Sequence, residues 1–120
     1  MSEASQLGKD GESAAKNYLE KNGYVILKTN WHCGSLEVDI IAQKGDILAF
    51  CEVKSRTSAY FGEPESFVTK QKQRNLIKAA SIFAERAQWQ GEIRFDILSV
   101  LFCKEEATIN HIEDAFGCSW

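Results

Sequence analysis

Glu37-Val38-Asp39-Ile40-Ile41-Ala42, a polar turn Gln43-Lys44-Gly45-Asp46, then Ile47-Leu48-Ala49-Phe50-Cys51-Glu52-Val53-Lys54: the fold of this chain is decided here. Two apolar runs rich in β-branched residues on either side of a glycine-containing turn predict a β-hairpin. Three acidic residues and a lysine stand where a plain strand would carry more Val or Ile. Strand side chains alternate faces, so Glu52 and Lys54 share one face while Cys51 and Val53 take the other. With Lys44-Gly45 as the tip, Gln43 pairs with Asp46, Asp39 lies opposite Phe50, and Glu37 lies opposite Glu52. Asp39, Glu52 and Lys54 then line one face, with the two carboxylates diagonal neighbours roughly 7–8 Å apart at the backbone.

Like charges this close on a half-buried surface are unfavourable unless something positive lies between them. Lys54 is one such group and a hard divalent cation is another. Mg²⁺ takes oxygen ligands, commonly one or two carboxylates with waters and substrate phosphate. Asp39 and Glu52 suit that role, with the Val53 backbone carbonyl as a third ligand. A lysine beside a metal-bound water can aid its deprotonation or offset charge developing on phosphorus. The pattern points to metal-assisted phosphodiester hydrolysis.

Upstream, Gln6 to Asn22 is expected to form a helix ended by Asn22-Gly23. On its wheel Glu12 shares a stripe with Ala15 and Leu19. A carboxylate there either serves the helix N-terminal dipole or aims over the sheet toward Asp39. Tyr24 to Thr29 reads as a first strand, apolar on both faces and so expected to be covered on both. Trp31 to Ser35 reads as a loop, with His32 a surface residue outside the site. Downstream, Ser55 to Glu65 is a connection containing Gly62 and Pro64. Its Tyr60 and Phe61 either stack on a base or anchor the loop. A second helix begins at Ser66 or Thr69 and runs to Arg86, with Leu76, Ala80 and Phe83 as its apolar stripe. Lys70, Arg74 and Lys78 recur every four residues on its far side. Lys72 departs from that row and leans toward the sheet, as a snorkelling lysine or as a neighbour of the carboxylates. After a break at Trp89-Gln90-Gly91, Ile93 to Phe102 forms a strand whose Arg94 and Asp96 pair with each other, and Thr108 to Glu113 forms an edge strand.

An Asp followed thirteen positions later by Glu-X-Lys on the next strand, with a Glu on a preceding helix, resembles the active site of the PD-(D/E)XK nuclease superfamily. More narrowly the chain resembles the YraN-like family of small bacterial proteins, similar in fold to archaeal Holliday-junction resolvases. The matching residues include Gly8, Gly11-Glu12, Ala15, Tyr18-Leu19, Gly23-Tyr24, Asn30, Glu37 to Ala42, Phe50 to Arg56, Val68-Thr69, Lys72-Gln73, Arg94 to Asp96 and His111-Ile112. They span nearly the whole chain. Leu36 stands where that family usually has glycine, and Val38 where the superfamily nominally has proline; neither is a ligand position. The resemblance implies a restriction endonuclease-like fold, with Glu12, Asp39, Glu52 and Lys54 catalytic; Glu37, which shares the face of Asp39 in the register above, reads as accessory or as an edge carboxylate. It favours the sheet-directed reading of Glu12.

One domain spanning 1–120 is expected, since 120 residues with 44% hydrophobic content can bury about two-thirds of the unfolded surface in a single core. The element order α-β-β-β-α-β-β predicts an α/β fold with a mixed central β-sheet flanked by helices. No signal peptide or run of about 18 apolar residues is read, so no membrane and a cytoplasmic location are expected. Four cysteines without Cys-X-X-Cys spacing predict reduced thiols. Net charge is −3, which argues against nucleic acid, yet Lys54 to Lys78 holds six basic and two acidic residues. Arg56, Lys70, Lys72, Arg74 and Lys78 are therefore the expected nucleic-acid contacts, although such a row also fits a solvated helix face. The expected activity is Mg²⁺- or Mn²⁺-dependent endonuclease cleavage, of DNA rather than RNA. Cleaving two strands would need a two-fold homodimer. The competing class is a non-catalytic nucleic-acid-binding or assembly module that keeps the nuclease fold.

Overall fold

The computed structural model describes residues 3–57, 68–104 and 106–117. Its elements are α1 (Glu3–Lys21), β1 (Val25–Cys33), β2 (Leu36–Lys44), β3 (Ile47–Arg56), α2 (Lys70–Arg86), β4 (Glu92–Cys103) and β5 (Glu106–Phe116). This is the α-β-β-β-α-β-β order expected. The expectations for Tyr60, Phe61, Gly62, Pro64 and Cys118 lie outside the described residues.

The five strands lie in the order β1-β2-β3-β4-β5. All neighbours are antiparallel except β3 and β4, which run parallel and are joined across one face by α2. Helix α1 covers the other face. Ala15 and Leu19 pack there on Ile40, Ala49, Cys51 and Leu98. On the α2 face Leu76, Ala79 and Ala80 meet Ile41, Leu48, Phe50 and Phe95. Both faces of β3 are thus buried, which is why its sequence is an almost continuous apolar run.

Helix boundaries follow from local chemistry. Gly23, at φ 90°, closes α1 in a Schellman arrangement: the Tyr24 N–H reaches the Leu19 carbonyl and the Gly23 N–H reaches Glu20. The Thr69 hydroxyl caps α2 by accepting from the Lys72 N–H at 3.1 Å. Its far end closes at Gln88, which takes φ 53° without being glycine, a little before the expected break. Gly11 marks a close approach of α1 to the sheet. An added Cβ would sit 2.8 Å from the Ser55 Cβ, so any larger residue lifts the helix.

Three expectations are corrected. The β2–β3 register pairs Lys44 with Ile47 and Ile41 with Phe50, so the turn is Gly45-Asp46 and the pairing slides by two residues. Gly45 has φ 61°, and glycine at the first central position is what a type II′ hairpin turn demands. A slide of two preserves parity, so Glu52 and Lys54 still share a face of β3, where Lys54 Nζ lies 3.6 Å from Glu52 Oε1. Trp31 to Cys33 is strand, paired with Leu36 to Val38 through a second two-residue turn at Gly34-Ser35; Trp31 stacks edge-on against Phe83 of α2. Finally, β1 is an edge strand with Val25 and Leu27 exposed, not a strand covered on both sides.

Candidate functional site

The site forms where β2 changes face. Leu36 and Val38 pack with the α2 cluster, whereas Ile40 and Ala42, of the same parity, pack with the α1 cluster. Strict alternation forbids this, so the strand bends at Asp39. Across from it on β1, between the pairs Thr29↔Ile40 and Trp31↔Val38, Asn30 adopts φ 49°. The left-handed region is open to asparagine at little cost. On the other side the β2–β3 ladder runs to Ile40↔Cys51. The Asp39 carboxylate then accepts the Val53 N–H at 2.8 Å, a side chain taking the place of a backbone acceptor. In a strand the N–H and C=O of one residue leave on the same side, so the Val53 carbonyl also turns toward β2.

The paired ladder stops one residue short of Asp39 and Glu52. Glu52 is 3% exposed. Its Oε1 lies 3.2 Å from Lys72 Nζ and 3.6 Å from Lys54 Nζ, and its Oε2 is buried without a hydrogen-bond donor. Burial, then the charge of Asp39, raises the Glu52 carboxyl above its ordinary pKa despite the two lysines. Asp39 is raised as well. Burial is the main cause and Glu37 adds to it, while the Val53 N–H, Lys72 and Lys54 oppose. Burial alone would lower Lys72, but its pairing with Glu52 outweighs this and raises it.

Glu12 leans over the sheet as expected, and Asn30 Nδ2 donates to its Oε1 at 2.6 Å. Burial and then Asp39 push its carboxyl upward. Glu12, Asn30, Glu37, Asp39, Lys54 and Gly8 line one cleft of about 590 Å³. Among the described residues no three His, Cys, Asp or Glu side chains converge closely enough to hold an ion by themselves. An ion at this place would have to rest on the Asp39–Glu52 pair completed by backbone and water. The buried, donorless Oε2 of Glu52 is compatible with that role, because an acceptor left so in a native core is costly unless a water or a cation completes it.

The basic residues divide. Lys70, Arg74 and Lys78 are exposed along α2. Arg56 turns back, its guanidinium 3.4 Å from Ser99 Oγ on β4. Lys72 leaves their row for Glu52, the carboxylate-side alternative of its two readings. His32 is exposed on β1, and Cys33, Cys51 and Cys103 are free thiols. Sequence reasoning missed Asn30 as a site residue; an asparagine among strand residues, where it is depleted, was the available signal.

The sequence profile described as Uncharacterised protein family UPF0102 matches residues 11–100. The chain belongs to this family. The span matched by UPF0102 starts at Gly11 and includes Glu12, Asp39, Glu52, Lys54 and Lys72, and the YraN-like family resembled by the sequence is this one. A UPF0102 protein of Flavobacterium psychrophilum is 46% identical over 116 residues, covering 97% of this chain and 98% of the relative. Another from Christiangramia forsetii is 40% identical over 116 residues, with the same shares of the two chains covered. A third, from Geobacter metallireducens, is 43% identical over 115 residues, covering 95% of this chain and 94% of the relative. These UPF0102 proteins thus match over their full domain, both helices and the carboxylate strands included.

Proposed function

We propose that this UPF0102 protein is a Mg²⁺- or Mn²⁺-dependent endonuclease that hydrolyses phosphodiester bonds, in DNA rather than RNA. The observation that carries the reading is the buried Asp39–Glu52 pair with its donorless Oε2, set beside Lys54 on the same strand face. Asp39, Glu52 and the Val53 carbonyl would hold the ion, which when bound supplies a Lewis acid and lowers the pKa of water. Lys54 is half-exposed and lines the cleft, so its ammonium can meet the charge that develops on the phosphate. Glu12, held by Asn30, presents its second oxygen to a water or a leaving group, and its raised pKa suits proton transfer. No described helix is long and apolar enough to cross a membrane.

The test is incubation of pure protein with linear, flapped and four-way DNA and with structured RNA, in Mg²⁺, Mn²⁺ or chelator. Cleavage should require the metal. It should fall by about 100-fold or more in Glu52→Gln and Lys54→Ala proteins that remain folded by circular dichroism. Undiminished cleavage in chelator, or in either variant, overturns the mechanism. Metal-independent binding with no cleavage of any substrate would instead mark a non-catalytic module. Analytical ultracentrifugation on DNA distinguishes a monomer from the homodimer that two-strand cleavage needs.

The exposed row Lys70, Arg74 and Lys78 would supply phosphate contacts. Substituting all three by Gln should weaken binding and reduce the slope of log affinity against log salt by about 2 to 3, one counterion per lost contact. An unchanged slope would make the row a solvated helix face.

A further inference from the structure

Lys72 stands apart from the other basic residues of α2. The Thr69 cap fixes its backbone in the first turn, while its side chain leaves the helix for the sheet and brings Nζ to 3.2 Å from Glu52 Oε1. The same oxygen has the Lys54 ammonium at 3.6 Å. Two ammonium groups therefore gather on one oxygen of a carboxylate pair, and the other oxygen of Glu52 has no donor. The partners differ in freedom. The Glu52 side chain is 4% exposed in the middle of a central strand, whereas that of Lys72 is 42% exposed. Of the two, only the lysine can leave without unpacking the sheet. A divalent ion arriving between Asp39 and Glu52 brings the positive charge that Lys72 now supplies, and like charges a few ångströms apart repel.

We propose that Lys72 is a resident counter-cation of this site. It holds the carboxylate pair in the metal-free protein, and a divalent ion binds by displacing its ammonium, which is then released to solvent where a substrate phosphate can take it. This rests on the reading of Asp39 and Glu52 as metal ligands. Lys72 is then a positioning residue acting through Glu52, distinct from the phosphate row of Lys70, Arg74 and Lys78. Its presence keeps metal affinity low until the ammonium has somewhere else to go.

Calorimetric titration of the full chain with Mn²⁺ alone, without nucleic acid, tests this. Lys72→Met keeps the aliphatic stem and removes the charge, so it should bind Mn²⁺ about fivefold to tenfold more tightly than wild type. Lys72→Arg, which restores the charge, should stay within about twofold of wild type. Without metal, Lys72→Met should melt below wild type because the pair has lost a cation. Lys72→Gln serves the same comparison if Lys72→Met does not fold. Equal or weaker Mn²⁺ binding by the neutral variants overturns the counter-cation role. The separate Glu52→Gln titration keeps the two ideas apart: if it abolishes Mn²⁺ binding, the ligand assignment stands whatever Lys72 does. If no protein in the set binds Mn²⁺, both fall.

Discussion

Replacing Asp96 by alanine should destabilise the protein by about 3–5 kcal/mol, the cost of breaking a buried ion pair by removing one partner. The Asp96 carboxylate is fully buried. Arg94 grips both its oxygens at 2.8 Å, His111 Nε2 lies 2.7 Å from Oδ2, and the Asp114 N–H donates to Oδ1 at 3.1 Å. Arg94 also reaches the Tyr24 hydroxyl, and His111 Nδ1 lies 3.2 Å from the Tyr18 hydroxyl. One carboxylate thus ties α1, Tyr24 just before β1, β4 and β5 together, and its loss leaves a guanidinium that is only 12% exposed with the exposed Glu113 carboxylate, 3.6 Å away, as counter-charge. Against a typical total stability of about 5–15 kcal/mol, the variant approaches unfolding, which urea denaturation at neutral pH will measure. The pH dependence has a definite sign. Burial alone would raise the Asp96 pKa, but the hydrogen bonds of His111 and Arg94 outweigh it and hold the pKa below the ordinary 3.8. Its stabilisation is therefore complete above the unfolded value and is lost as pH falls through the lower, folded one. Asp96→Asn should flatten that acid limb. If Asp96→Ala changes stability by less than about 1 kcal/mol, the network is not the tie described here.

Much of this architecture is legible in the sequence, because its signals are periodic. Ala15 and Leu19, or Leu76 and Ala80, declare a buried helix stripe by spacing alone, and all four are buried. The Arg94–Asp96 pairing was readable because residues two apart on a strand share a face. What escaped depended on single backbone choices. The register slid by two because Gly45 had to occupy the first turn position, not the second. Asp39 reaches Val53 because β2 bends, and that bend is matched by a left-handed Asn30 on β1, 18 residues beyond the Glu12 it bonds. His111 joins Asp96 across the β4–β5 ladder, a long-range register that no local pattern encodes. Lys72 could be placed on the sheet-facing side of α2 from its wheel position, but its choice of Glu52 over solvent follows from tertiary packing.

The carboxylates of the site should behave oppositely to Asp96. Both Asp39 and Glu52 are raised above their ordinary values of 3.8 and 4.5, mainly by burial. A raised folded pKa means the native state holds protons more tightly than the unfolded chain. The penalty is absent at low pH and grows as pH rises through the carboxylate range. Asp39→Asn removes the charge while its amide oxygen can still accept the Val53 N–H. Near neutral pH, in chelator, the variant should therefore melt a few degrees above wild type. At pH 3 the two should converge. Wild type should then gain about 2.7 kcal/mol when Mg²⁺ reaches 100 times its dissociation constant, through mass action on the folded state alone. Asp39→Asn should lose most of that gain, because a neutral amide is a poor partner for a hard dication. Thermal melts of both proteins at two pH values, with and without Mg²⁺, test the four expectations together. A lower melting temperature in Asp39→Asn, joined to a Mg²⁺ response as large as wild type's, would place the ion elsewhere and leave Asp39 as the side chain that completes the β2–β3 ladder.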